Sequence, residues 1–203
     1  MPVKTQVPYP AFIKPYYAHL WKEHFPNSKG VQVDTPSELV ERFEAIFRHG
    51  LQAMVQSIVL GPNTSHFKVC AYIGQSGEPL AVFTLRKIRQ YPVDFGTGTL
   101  VESLRFPQLS EMGLRFLREI GYRGIGSIEF KRDALDGCLK MIELNPRLWL
   151  QNGQATTCGV NFPLVQYLDL IGQTPPAETD FVEGVKWKGD QESDEGGVRE
   201  ERS

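Results

Sequence analysis

Apolar positions recur along the chain at two periods, and the switches between them mark out the elements. Pro10–Pro15 (PAFIKP) predicts a short strand closed by Pro15, and Ala18–His24 predicts a short helix inside a polar and aromatic connection. Gly30 opens a second short strand, Val31–Val33. Thr35-Pro36-Ser37-Glu38 has the marks of a helix start: Thr35 as N-cap, Pro36 in the first turn, and Glu38 placed to complete a capping box. Leu39, Phe43, Ile46 and Phe47 fall on one face at helical spacing, which predicts a helix over Pro36–His49. Ala53–Leu60 is strand-like and runs into a turn at Gly61-Pro62-Asn63. His66–Ile73 and Pro79–Gln90 predict two antiparallel strands joined through Gln75-Ser76-Gly77. After a glycine-rich loop over 94–99, a second amphipathic helix is predicted over Pro107–Ile120, burying Leu109, Met112, Phe116, Leu117 and Ile120. Strands Ile125–Lys131 and Cys138–Asn145 follow, linked by Asp133–Gly137, and a helix near Phe162–Ile171 closes the body. Antiparallel strands with a few flanking helices make the fold class α+β.

Composition narrows the function. The chain has 203 residues, 41% of them hydrophobic and 23% charged. Its mean hydropathy is −0.28, and its apolar runs stop far short of the roughly 20 residues that a membrane-spanning helix needs. Prolines occupy the N-terminal stretch where a secretory signal would be apolar. A net charge of −2 gives no support to a nucleic-acid binder. Cys70, Cys138 and Cys158 are odd in number and widely spaced, which excludes a disulfide scaffold or zinc ribbon and points to a reducing, cytoplasmic setting. Thr174–Ser203 carries nine acids and four bases. Such an acidic tail is expected to be largely disordered, with Phe181–Trp187 docking on the body.

The hairpin near the end of the body holds the candidate chemistry. Alternation puts Ser127, Glu129 and Lys131 on one face of the first strand, and Met141, Glu143 and Asn145 on one face of the second. A three-residue turn at Leu135–Gly137 places Glu129 opposite Glu143, with Asn145 further along the same face. Two carboxylates that close repel unless a cation intervenes, and magnesium takes carboxylate and amide oxygens readily. A two-residue turn would instead put the glutamates on opposite faces. Either glutamate would also be satisfied by Lys131, Lys87 or Arg147 on an ordinary solvated strand. Arg147, just past the acids, has the planar cation suited to phosphate or carboxylate.

Glu129, then Glu143-Leu144-Asn145-Pro146-Arg147, resembles the C-terminal metal-binding hairpin of the ATP-grasp superfamily, in particular its carboxylate–amine ligase-like and carbamoyl phosphate synthetase-like members. Pro10–Pro15 resembles the strand that ends in a phosphate-contacting lysine, and Val55–Gly61 the linker that holds adenine. Leu85–Arg89 sits where the family places a cation near the phosphates. The resemblance covers about residues 10–172. It implies antiparallel sheets with flanking helices, a truncated two-lobe nucleotide-binding core lacking the N-terminal domain. Residues 1–56 would form a partial lid-like subdomain, 57–173 the core with the metal hairpin, and 174–203 the tail.

The resemblance also implies roles. Glu129, Glu143 and Asn145 would hold Mg2+, and Lys14, Gln56, Ser57, Ile58 and Val59 would bind ATP. Lys87, Arg89 and Arg147 would stabilise charge during phosphoryl transfer. The implied activity is an ATP-dependent ligase that forms an acyl phosphate from a small carboxylate and passes it to an amine or another nucleophile, incomplete without an N-terminal domain or partner chain. The alternative is a non-catalytic nucleotide-binding or protein-interaction module of the same fold. The chain departs from the family at Ser57, often acidic there. It also lacks the usual ribose-contacting acid, for which Asn63 and His66 are the nearest polar substitutes. Between Lys14 and Gly30 a bulky segment replaces a glycine-rich phosphate loop.

Overall fold

The computed structural model describes residues 7–26, 28–92 and 95–189. The chain divides into two compact units, Met1–Val59 and Leu60–Ser203. In the first, β1 (Ala11–Pro15) is the middle strand of three, antiparallel to both β2 (Val31–Val33) and β3 (Ala53–Ser57). Two helices, α1 (Ala18–His24) and α2 (Pro36–Arg48), accompany this sheet. Its core gathers Ala11, Ile13, Trp21, Val33, Leu39, Ile46 and Leu51. Thr35 caps α2 by accepting from the Glu38 N–H at 3.2 Å. The Glu38 carboxylate accepts from the Asp34 N–H at 2.9 Å, one residue before the cap. The box is therefore wider than the sequence pattern predicts. Phe47, expected on the buried face, is exposed, while Phe43 is only partly buried. The strand expected over Ala53–Leu60 ends at Ser57.

The second unit is built on a six-stranded antiparallel sheet in the order β8-β7-β4-β5-β6-β9. Its strands are β4 (His66–Ile73), β5 (Pro79–Tyr91), β6 (Thr97–Ser103), β7 (Gly124–Arg132), β8 (Leu139–Asn145) and β9 (Lys186–Lys188). Helix α3 (Pro107–Glu119) covers one face, where Leu109 and Leu117 meet Val69, Ala71, Ile128 and Phe130. The helix lies so close that a Cβ at Gly113 would come within 2.9 Å of Val69 Cγ1. Ile120, expected in that buried face, is the helix C-cap and is exposed. On the other face, Cys70, Tyr72, Phe83 and Val101 pack with Trp149, Ala155, Val160, Phe162, Val165 and Phe181. These come from the region of α4 (Asn152–Thr157) and α5 (Phe162–Leu170) and from the segment after it.

Two sequence expectations change here. The loop expected over 94–99 gives way to β6 from Thr97 onward; Asp94 lies outside the described residues. The tail is ordered at its start: Phe181 packs on Phe83, Arg105 bonds the Phe181 carbonyl and pairs with Asp180, and β9 zips onto β6. Burial of Phe181 and Trp187 against the core supplies the apolar contact that offsets ordering the segment. Residues 190–203, which include the last dozen expected to be disordered, lie outside the described residues. No helix among the described residues is long and apolar enough to cross a membrane.

Candidate nucleotide and metal site

The β7–β8 hairpin turns more widely than the three-residue turn inferred above. Arg132 pairs with Leu139, and the Asp133 N–H donates to the Cys138 carbonyl at 2.9 Å. That register runs through Lys131–Lys140 and Phe130–Met141 and, continued unbroken, would put Glu129 opposite Ile142. Instead the register shifts between Glu129 and Phe130, so Ile142 is the extra residue of a β-bulge. Glu129 then pairs with Glu143, Ile128 with Leu144, and Ser127 with Asn145. The bulge also explains why Leu139 and Leu144, an odd number of residues apart, both pack against the α3-side core. The two glutamates face each other as the sequence predicts, by a different route. Met141, assigned to their face, pairs with Phe130.

Beyond β7 lies β4, and its register completes the surroundings. Lys68 pairs with Glu129, His66 with Lys131, and Cys70 with Ser127. Alternation therefore gathers His66, Lys68, Ser127, Glu129, Lys131, Glu143 and Asn145 on the face away from α3. Lys68 Nζ lies 3.0 Å from Glu129 Oε1, with the two side chains 13% and 20% exposed. Asn145 Nδ2 donates to Glu143 Oε1 at 3.0 Å. The Ser127 hydroxyl is buried opposite Asn145 without a hydrogen-bond partner. Burial pushes the Glu129 carboxyl upward, but the ammonium groups of Lys68 and Lys87, together with the Lys68 hydrogen bond, outweigh it and hold the group below its ordinary value. Burial, then the charges of Lys87 and Lys131, hold His66 neutral, its pKa lowered to about 3. Burial also draws Lys131 down, against the pull of Asp133.

The other site candidates fall in different places. Lys87, on β5, is buried; its Nζ donates to Gln90 Oε1 at 3.0 Å and reaches the Gly96 carbonyl at 3.5 Å. Alternation predicts that Arg89 shares its face. Irregularities on either side of Arg89 break the pattern: Lys87 pairs with Val101 and Arg89 with the adjacent Leu100, and Arg89 is exposed. Arg147 is exposed on the loop after β8, where its Nη1 donates to the Leu148 carbonyl. Lys14, Gln56, Ser57, Ile58 and Val59 all belong to the first unit. Lys14 pairs with Met54, Gln56 with Phe12 and Ser57 with Ala11; the Ile58 N–H donates to the Pro10 carbonyl, and Val59 is buried. Gly30, the one glycine of the segment that stands in for a phosphate loop, is required by packing: a Cβ there would come within 2.3 Å of the Ile13 carbonyl oxygen.

Sequence reasoning did not find Lys68, because its proximity to Glu129 depends on the long-range β4–β7 pairing. The available signal was a charged residue at the core-facing parity of a strand that is otherwise apolar from Val69 to Ile73. Glu129 forms its ion pair with Lys68, with the Lys87 charge also acting on it. Among the described residues no three His, Cys, Asp or Glu side chains gather as a metal-holding group. The oxygen donors here are two carboxylates and one amide, a hard set that suits magnesium.

Comparison with solved structures matches the fold to known architecture. N5-carboxyaminoimidazole ribonucleotide synthetase in complex with ADP superposes with a TM-score of 0.64 at 16% identity, over 89% of this chain and 46% of that one. The biotin carboxylase domain of Hydrogenobacter thermophilus 2-oxoglutarate carboxylase, with MgADP, ADP and bicarbonate, gives 0.64 at 17% identity, over 89% and 40%. Campylobacter jejuni biotin carboxylase gives 0.62 at 16% identity, over 88% and 41%. The fold is that of the ATP-grasp enzymes. The chain spans less than half the length of each of these ATP-grasp structures. An acetyl-CoA carboxylase, dmxL1, of Cryptosporiopsis sp. (strain 8999) is 25% identical over 144 residues, 66% of this chain and 6% of that protein. No family model matches the chain.

Proposed function

We propose that this chain is the nucleotide-binding core of an ATP-dependent ligase or carboxylase that activates a small carboxylate as an acyl phosphate. The observation that carries the reading is the Glu129–Glu143 pair, with Asn145 beside it and Lys68 and Lys87 near it, on one face of an ATP-grasp sheet. Glu129, Glu143 and Asn145 would hold magnesium, which would supply charge neutralisation for the triphosphate. Lys14 and the backbone over Gln56–Val59 would bind the nucleotide. A substrate carboxylate oxygen attacks the γ-phosphorus as the bond to the bridging oxygen of ADP breaks. An amine or another nucleophile then displaces phosphate from the acyl group. Lys87, with Arg147 from the loop after β8, would stabilise the negative charge on the transferring group, the principal requirement of phosphoryl transfer, whereas Arg89, off the face of Lys87, loses the role the resemblance implied. Because fold alone does not fix substrate, the carboxylate and the nucleophile are set by residues beyond the shared architecture.

The test is a thermal-shift titration with ATP, with and without magnesium, on the wild-type chain and Glu143→Gln. A ligand that binds the native state raises the melting temperature by mass action. The expected result is a magnesium-dependent rise in wild type that Glu143→Gln abolishes while melting cooperatively. A rise that survives in Glu143→Gln would remove the carboxylate pair from the metal site. Binding without release of ADP in the presence of carboxylates and amines would favour the non-catalytic module.

A further inference from the structure

The carboxylate pair is not bare. Across the sheet the order is Lys68, Glu129, Glu143, each directly paired with the next. Glu129 thus has an anion on one side and, at 3.0 Å on the other, the ammonium of a lysine whose side chain is only 13% exposed. With both carboxylates ionised, this row carries a single net negative charge instead of two. Lys87 places a further buried ammonium near Glu129. A triphosphate adds several negative charges to such a face, and each must be met by a cation at short range where water is largely excluded. A site with two carboxylates and no fixed cation would need its positive charge from solution; here part of it is built into β4.

Resting on the ATP-binding reading above, we propose that Lys68 is a resident counter-cation of the nucleotide site, taking the place of a second divalent ion so that ATP is bound with one. A merely structural Lys68 would keep Glu129 paired and would have no effect on how many metal ions accompany the nucleotide. The two roles therefore separate by counting metals.

The experiment counts bound Mn2+ per bound ATP by equilibrium dialysis and electron paramagnetic resonance, for wild type, Lys68→Arg and Lys68→Met. The expected counts are one for wild type, one for Lys68→Arg, which keeps the charge, and two for Lys68→Met. Two ions in wild type, or one in a folded Lys68→Met, would overturn the role given to Lys68 and leave ATP binding standing. If Lys68→Met fails to fold, Lys68→Gln, which keeps a neutral hydrogen-bond donor toward Glu129, takes its place: two ions are expected, and one would overturn the role. Wild type that binds no ATP at any Mn2+ concentration would overturn the ATP reading, and the role of Lys68 with it.

Discussion

At the scale of single residues, His66 shows what the crowded face costs. Burial and the neighbouring Lys87 and Lys131 charges lower its pKa from 6.5 to about 3, with Glu129 opposing them. In the unfolded chain the imidazole takes a proton near 6.5, whereas in the fold it stays neutral until about 3. Between those values the unfolded state binds more protons, so stability is complete above about 6.5 and falls as the pH drops, by at most about 1.4 kcal/mol per pH unit. Urea unfolding at pH 7 and pH 5 should show wild type losing up to about 2 kcal/mol more than His66→Gln, which has nothing to titrate there. Equal losses would mean that His66 is protonated in the fold. Glu129 and Glu143 were legible because acids are conspicuous in apolar strands. Lys68 was not, since a lysine in a strand carries no mark of which distant strand it will meet.

At the scale of elements, helices were easier to read than strand edges and turns. The body of α2 and of α3 follows from 3.6-residue periodicity, yet Phe47 and Ile120 show that the outer margin of an apolar face stays in water. The hairpin was legible in its pairing but not in its construction, because a bulge is a choice among backbone conformations that the hydrophobic pattern scarcely marks. The segment after α5 gave a fair signal in Phe181 and Trp187, both packed on the core, whereas Val182 is exposed. Phe181 lies 4.7 Å from the Phe83 ring and beneath the Arg105 guanidinium. Phe181→Ala should therefore lower unfolding free energy by about 3 kcal/mol, read from chemical denaturation, through lost burial and the cavity left behind. A loss below about 1 kcal/mol would mean that the segment lies on the sheet without being part of its core.

At the scale of the molecule, the α+β class and the antiparallel sheets were legible from the alternation of periods, and the order of motifs along the chain led to the ATP-grasp architecture. The separate cores were not, because periodicity shows that a face is buried without showing against what. Each unit gathers its own apolar side chains, and the first depends on the fully buried Trp21. A compact unit of about 60 residues buries too little surface to be more than marginally stable. Of the three tryptophans, Trp21 alone lies in the first unit, while Trp149 and Trp187 lie in the second. Fluorescence melts of chains that keep only Trp21 or only Trp149 should give two midpoints, the Trp21 one lower. Coincident midpoints would show that the units melt as one.

The bulge at Ile142 loosens the tie between spacing and facing. Removing that one residue would leave Phe130 beside Met141 and Glu129 beside Glu143, because the register already skips from one pair to the other across it. The number of residues between the two acids can thus vary by one while their confrontation persists. A ruler laid along the sequence would record two different hairpins; the carboxylates would meet in both.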